Sequence, residues 1–318
     1  RVRNSIFLRF FTGVLLVSTI SVICLALFIF QWMQNSTFHD IKKMKNQEMQ
    51  LLGNTFGEYI TQCEDFTMTL YMNTNFRSVM LSRNQEWNSS RSHAVQLVQT
   101  TMSIHPYINS IYVMNSNSVV FRVTSLTETD EVQQALLDYT HIYSESDPYR
   151  VWNLDTLNGK SVRTLTLLFR EKASESGVHN GAVVMNVDLN KLQDTIFAGQ
   201  DFTNQKIRII DRQGNTILGS SLTNLSQEPY METILSNADQ DGSLSTEVDS
   251  HDTFITWSPI LGGKFLIISE TSYASSFQSL IAGRNFLLYL CASILLVVIA
   301  ISFLVSLMAY RPVNRVFQ

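Results

Sequence analysis

Residues 10–33 read FFTGVLLVSTISVICLALFIFQWM, a run of 24 residues without a charged side chain. A second uncharged run, of 26 residues, covers 285–310. A helix rises about 1.5 Å per residue, so each run is long enough to cross roughly 30 Å of hydrocarbon. The first run is longer than the apolar part of a cleaved signal peptide and ends without a small-x-small cleavage site, which favours a retained anchor. We therefore predict two transmembrane helices.

The charges divide the chain into an acidic middle and two basic ends. Residues 34–284 hold all 27 Asp and Glu but only 18 of the 23 Lys and Arg, which leaves a formal charge of −9. The flanks, 1–9 and 311–318, hold five arginines and no acid. Because basic flanks stay in the cytoplasm, we predict that both termini are cytoplasmic and that residues 34–284 are extracytoplasmic. An acidic exterior also argues against nucleic acid or anionic lipid as outside partners.

Cysteine usage constrains the outer domain further. Of the three cysteines, only Cys63 lies within residues 34–284. No disulfide can form inside this segment, so its fold has to rely on a packed core. Secreted animal domains of this size usually carry several disulfides, and we therefore expect a bacterial cell-membrane protein.

A helical stalk is predicted for residues 34–104. Part of it carries apolar residues at alternating spacings of three and four, which is a heptad pattern over three repeats. The pattern fits either a helix packed on its own domain or a stalk shared with a second copy, and we expect the receptor to be a homodimer. The seam consists of Met49, Leu52, Phe56, Tyr59, Cys63, Phe66 and Leu70.

Beyond residue 104 the pattern changes to period two with many β-branched residues, which predicts strands. A distal module, 105–200, is predicted to contain strands 108–114, 119–124, 149–154, 161–171 and 181–188 and a helix opened by Thr127 and Asp130. A proximal module, 201–275, repeats the plan with strands 206–211, 215–219, 243–248, 253–259 and 264–269 and a helix over 226–237. Each half runs hairpin, helix, three strands, so we predict an α+β fold with two antiparallel sheet modules.

Three segments carry a resemblance to a known family. They are GAVVMNVDLNKL (181–192), which resembles the last distal strand and its exit helix, IRIIDRQGNTI (207–217), which resembles the opening proximal hairpin, and WSPILGGKF (257–265), which resembles the closing strands. In this order, over residues 34–284, they resemble the double Cache domain of bacterial transmembrane receptors. The resemblance implies tandem PAS-like modules on a long N-terminal helix, flanked by two transmembrane helices.

The segment after the second run resembles two kinds of cytoplasmic linker. Tyr310-Arg-Pro312 is similar to the short linker of membrane-bound AraC-type transcription regulators and to the start of a HAMP domain in sensor kinases and chemoreceptors. The sequence stops at Gln318, so we expect it to be the sensing half of a longer protein.

No motif predicts catalysis, a metal site or a cofactor. The six histidines never fall three to five residues apart, and there is neither a Cys-x-x-Cys pair nor a Gly-x-Ser-x-Gly elbow. We therefore predict that this segment is not an enzyme.

A ligand pocket is the better prediction. Tyr149, Arg150 and Trp152 place two aromatic rings around one guanidinium, which suits an acidic group and a flat or apolar face. Tyr112, Arg122 and Asn186 are further candidates because their strands should face the same cleft. The alternative is that Trp152 is a core residue and Arg150 pairs with Glu145 or Asp147.

The resemblance bears on the ligand as well. In the double Cache family this region and the last distal strand line the ligand pocket, and members that bind amino acids carry a Tyr, then Arg-x-Trp-Tyr, then a later Asp. Arg150 and Trp152 fit this pattern, but Glu145, Asn153 and Asn186 depart from it, which argues against an amino-acid ligand.

We thus expect a bacterial receptor that senses a small molecule outside and signals through the second span. The most favoured output is an AraC-type regulator, which would bring DNA as a partner through the cytoplasmic part. A histidine kinase or chemotaxis transducer with a HAMP domain is the alternative, and a membrane-anchored adaptor without a small ligand is an alternative of another class.

Overall fold

A computed structural model describes residues 2–81, 89–115, 118–125, 129–142, 149–156, 158–170, 181–199, 205–221, 225–226, 228–248, 250–272 and 278–316. The chain forms two compact units. The first unit consists of Arg1–Lys45, Ser245–Phe254 and Thr271–Gln318, and the second consists of Asn46–Leu244 and Ile255–Glu270.

The first unit contains the two apolar runs as helices. Helix α1 spans Val2–Met72 and helix α7 spans Gln278–Val316. Both contain stretches long and apolar enough to cross a membrane. The two helices run antiparallel, because the rings of Phe11 and Phe303 lie 6.4 Å apart at one end and Met33 lies against Gly283 at the other. Both predicted spans are therefore helical, and the end of the first, at Met33, is adjacent to the start of the second, at Gly283.

The remaining elements follow the predicted order closely. The shorter helices are α2 (Thr74–Leu81), α3 (Ser89–Ile104), α4 (Asp130–Ile142), α5 (Leu189–Ile196) and α6 (Met231–Ser236). The described strands are β1 (Ile108–Asn115), β2 (Val119–Thr124), β3 (Tyr149–Asp155), β4 (Ser161–Arg170), β5 (Gly181–Asp188), β6 (Gln205–Asp211), β7 (Thr216–Gly219), β8 (Gly242–Val248), β9 (His251–Ile260) and β10 (Phe265–Ser272). Each predicted strand is present, with ends that differ by at most three residues.

The two sheets share one topology. The distal sheet has the order β2-β1-β5-β4-β3, and the proximal sheet has the equivalent order β7-β6-β10-β9-β8. In each sheet the last strand of the module inserts next to the first, which places β5 and β10 at the centre. The structure therefore confirms the predicted α+β fold with two tandem PAS-like modules.

One predicted helix is much shorter than expected. The helix predicted over 226–237 is reduced to α6, which begins after Tyr230. Pro229 explains the difference, since proline has no amide hydrogen to donate and disfavours helical backbone in the residue before it. Thr127, the predicted helix cap of the distal module, lies outside the described residues.

The heptad seam of α1 packs within its own chain. Met49, Leu52, Phe56, Cys63 and Leu70 are all buried in the main core of the second unit. Burial raises the pKa of the Cys63 thiol to about 12, with the neighbouring Glu64 charge as a smaller cause. The interpretation of the seam as intrachain packing is confirmed, and its apolar stripe is not a free surface for a second copy.

Replacement of Phe56 tests this seam. Its ring is fully buried and meets the Phe265 ring edge-on at 5.4 Å. We expect Phe56→Ala to lower the free energy of unfolding by about 3–5 kcal/mol, because it removes buried area and leaves a cavity. Urea unfolding in detergent, followed by tryptophan fluorescence, measures the effect. Leu51→Ala, on the exposed side of the same helix, is the control and should change little.

Candidate functional site

The distal sheet presents two different faces because side chains alternate along each strand. One face, from Ile111, Val113 and Met185 among others, joins the core formed with α1. The opposite face packs on α4 through Val132, Leu136 and Tyr139, which recur at helical spacing. We call this opposite face the α4 face.

A row of polar side chains crosses the centre of the α4 face. Ser110, Asn186 and Thr166 are directly opposite one another on β1, β5 and β4 and are fully buried. Thr166 donates a hydrogen bond to Asn186 Oδ1 at 2.6 Å, and Asn186 Nδ2 donates to Ser110 Oγ at 2.9 Å. Predicted site residue Asn186 therefore lies at the middle of this face, held by hydroxyl groups from both neighbouring strands.

Arg122 and Tyr112 lie on one side of the polar row. They are cross-strand partners on β2 and β1, so both side chains project from the α4 face. Tyr112 is fully buried, and Arg122 is half-buried. The Tyr112 hydroxyl and Arg122 Nη1 are both inaccessible to solvent and have no hydrogen-bond partner among the described residues.

Trp152 and Thr164 lie on the other side of the row. They are cross-strand partners on β3 and β4, and again Trp152 Nε1 and Thr164 Oγ1 are buried without a hydrogen-bond partner in the described ranges. The Arg150 guanidinium stacks over the Trp152 ring at 4.3 Å and lies 5.5 Å from the Tyr139 ring of α4. Arg150 and Trp152 are thus packed together as predicted, but the second ring against Arg150 is Tyr139.

Tyr149 is the one predicted site residue that the structure places elsewhere. It neighbours Arg150 in a strand, so it projects to the face that packs on α1. Its hydroxyl donates to Glu64 Oε1 at 2.5 Å and accepts from Lys264 Nζ at 3.1 Å. The five other predicted residues share the α4 face. Glu145 and Asp147, proposed as alternative partners of Arg150, lie outside the described residues.

Sequence reasoning missed several members of the face. Ser110, Thr164 and Thr166 are small hydroxyl residues whose role follows only from the strand register. Period two and the hairpin pairing would have placed Thr164 beside Trp152. Tyr139 carried no such signal, because the packing of α4 on the sheet is a tertiary contact.

The charges on the α4 face are mainly positive. Arg122 and Arg150 have no carboxylate partner among the described residues. Asp188 lies on the same face, but its Oδ1 accepts the backbone amides of Asn190 and Lys191 and so caps α5. Within the described ranges no group of three His, Cys, Asp or Glu side chains is placed to hold a metal ion. The face offers N–H and O–H groups to a ligand that can accept hydrogen bonds.

Several solved structures with this fold are sensory domains. The periplasmic sensory domain of the Campylobacter jejuni chemoreceptor Tlp1 is 12% identical, with a TM-score of 0.54 over 76% of this chain and 98% of that chain. The extracellular domain of vpHK1S-Z8, a protein assigned as a histidine kinase, is 12% identical, with a TM-score of 0.54 over 77% and 96%.

A third structure carries a ligand. The ligand-binding domain of the Campylobacter jejuni chemoreceptor Tlp3, in complex with L-valine, is 10% identical, with a TM-score of 0.51 over 76% of this chain and 96% of that chain. No protein-family model matches the sequence, and a search of curated proteins finds no relative. At such low identities the likeness shows the fold, which is that of bacterial extracytoplasmic sensory domains.

Replacement of Asn186 tests the buried polar row. Asn186→Ala leaves the Ser110 and Thr166 hydroxyls without their partner in a fully buried setting. We expect the free energy of unfolding to fall by roughly 1–3 kcal/mol, the usual cost of unsatisfied buried polar groups. Urea denaturation measures the change. Asn190→Ala, at an exposed position on α5, serves as the matched control and should stay close to wild type.

Proposed function

We propose that this chain is the sensing half of a bacterial membrane receptor that binds a small molecule on the α4 face of its distal module. The observation that carries the proposal is that buried polar atoms of the sheet on this one face have no hydrogen-bond partner among the described residues: Tyr112 Oη, Arg122 Nη1, Trp152 Nε1 and Thr164 Oγ1. Buried polar groups in folded proteins are nearly always hydrogen-bonded. A ligand with acceptor groups would satisfy several of them and so bind the folded state.

The arrangement of the two apolar helices supports a receptor. Antiparallel pairing of α1 and α7 fits two membrane spans with both termini on one side. The basic flanks support a cytoplasmic position for those termini. The sensor fold then lies outside, as in the periplasmic domain of Tlp1. The resemblance to the double Cache domain implies the same arrangement, with an extracytoplasmic sensor between two membrane spans.

Contacts between the two modules support signalling from the distal site. On β4, Arg163 donates hydrogen bonds to the carbonyl oxygens of Thr216 and Ile217 in the proximal strand β7. On β3, Tyr149 bonds to Lys264 in the turn between β9 and β10. Tyr149 directly precedes Arg150, which lies on the α4 face. A ligand that favours one position of β3 would shift the populations of both modules.

The proposed output is a cytoplasmic transcription regulator. Tyr310-Arg-Pro312 supports an AraC-type transcription regulator, which would contact DNA through a cytoplasmic module. The structural neighbours, which include domains of a protein assigned as a histidine kinase and of chemoreceptors, support a kinase or chemotaxis output as the second candidate. The sequence of the cytoplasmic part of the receptor decides between the two, since helix-turn-helix repeats would indicate the regulator and a HAMP heptad pattern would indicate the kinase or chemotaxis transducer. The described segment itself is proposed to have no enzymatic activity and no cofactor.

A thermal-shift screen tests ligand binding. The full chain in detergent is heated with each member of a metabolite library. A compound that binds only the folded state at about 100 times its Kd adds roughly 2.7 kcal/mol to the free energy of unfolding and raises the Tm. We expect at least one small molecule to do so. A library without any hit would contradict the sensor and favour a membrane-anchored adaptor.

Cysteine labelling in intact cells tests the topology. The background is Cys24→Ser with Cys291→Ser; Cys63 remains, since its buried thiol has a raised pKa and is unreactive. Gln99→Cys, exposed on α3, should react with a membrane-impermeant maleimide in intact cells. Arg3→Cys should react only after permeabilisation. Labelling of the two positions in the opposite order would overturn the proposed orientation.

A further inference from the structure

We infer that the ligand of the α4 face is an organic anion whose acidic group binds between Arg122 and Tyr112, and that it needs no ammonium group. This inference rests on the proposed function and names its ligand class. The observation behind it is a guanidinium with a buried nitrogen and no described acceptor, on the strand next to a fully buried, unpartnered hydroxyl. Both groups donate hydrogen bonds, and one carries a fixed positive charge.

In the proximal module, a buried arginine is paired with a carboxylate of the same chain. Arg208 on β6 is almost fully buried, and its Nη1 lies 2.7 Å from Oε1 of Glu270 on the central strand β10. Tyr230 donates a further hydrogen bond to the same carboxylate at 3.0 Å. Burial and the Glu270 charge raise the pKa of Tyr230, so its hydroxyl remains a donor.

The distal module has no carboxylate beside Arg122 among the described residues. The central strand β5 carries the neutral Asn186, whose amide is already bonded to Ser110 and Thr166. Arg122 is half-buried, and an anion that accepts from both Arg122 and Tyr112 would supply its counter-charge through charge-assisted hydrogen bonds. Arg122 and Tyr112 together therefore suit an external anion.

Arg150 is less suited to be the main anion contact. Its side chain is exposed, so water already solvates its charge, and its plane is stacked on Trp152 and near Tyr139. The same stacking occupies the aromatic faces that could otherwise hold a ligand cation. With Asp188 committed to the cap of α5, a ligand ammonium finds no free carboxylate on this face among the described residues.

Matched probes separate the ligand classes. The first set is 3-methylbutanoate, valine and 2-methylpropan-1-amine, which share a branched apolar body. The second set is 3-phenylpropanoate, phenylalanine and 2-phenylethylamine. We expect the two carboxylates, at equal high concentration and against sodium chloride as the salt control, to raise the Tm of the full chain in detergent. The amines should leave the Tm unchanged, and an added ammonium group should bring no gain over the carboxylate.

Two variants make the assignment specific. Arg122→Gln should retain the unliganded Tm or raise it, because it removes an unpaired charge, and should lose the carboxylate-dependent shift. Arg208→Gln is the matched control: it breaks a buried ion pair and should lower the unliganded Tm. A fall in the Tm of Arg122→Gln as large as that of Arg208→Gln would show that Arg122 is paired within the protein and would refute the inference.

Three other results would overturn the inference. They are that neither carboxylate raises the Tm, that an amine raises the Tm, or that Arg122→Gln retains the carboxylate-dependent rise in Tm. Its failure is distinct from failure of the sensor proposal. A neutral or cationic hit in the metabolite library would refute the anion and leave the sensor intact, whereas a library without hits would remove both.

Discussion

Burial of the central strand β5 on both of its faces is the constraint on which the distal module depends. Every residue from Gly181 to Asp188 is shielded from solvent. Polar side chains on such a strand need partners from the neighbouring strands or from a ligand. Asn186 finds its partners in Ser110 and Thr166, which together bridge three strands. The groups without a partner among the described residues lie to either side of this satisfied centre, and the proposed ligand would bind there.

Side chains alternate along β3, so adjacent residues of this strand project to opposite faces of the sheet. Arg150 and Trp152 project to the α4 face, while Tyr149 projects to the side of α1 and reaches Glu64 and Lys264. In the proposed receptor, a displacement of this strand by a ligand would reach the proximal turn directly through Tyr149. The size of the response would depend on how much more tightly the ligand binds one arrangement of the strand than another.

The two modules share a strand order but differ in whether an arginine of the sheet has a carboxylate partner among the described residues. In the proximal module, Arg208 pairs with Glu270, which neighbours it across the β6 and β10 strands. In the distal module the central strand carries a neutral amide instead. The same strand order thus occurs twice, once with an arginine paired to a carboxylate of the chain and once with an arginine, Arg122, that has no carboxylate partner among the described residues.

The sequence by itself determined the two long apolar helices, the strands and the α+β class, and five of the six residues predicted for the site lie together on the α4 face. These follow from local features: uncharged runs, period-two alternation and hairpin turns, each spanning a few residues. The tertiary structure alone decided that Tyr139 contacts Arg150, that Tyr149 faces away, and that Asn186 meets Ser110 and Thr166. These contacts depend on the insertion of β5 between β1 and β4 and on the packing of α4. Partners so far apart in sequence leave no periodic signal, because only the closed sheet brings them together.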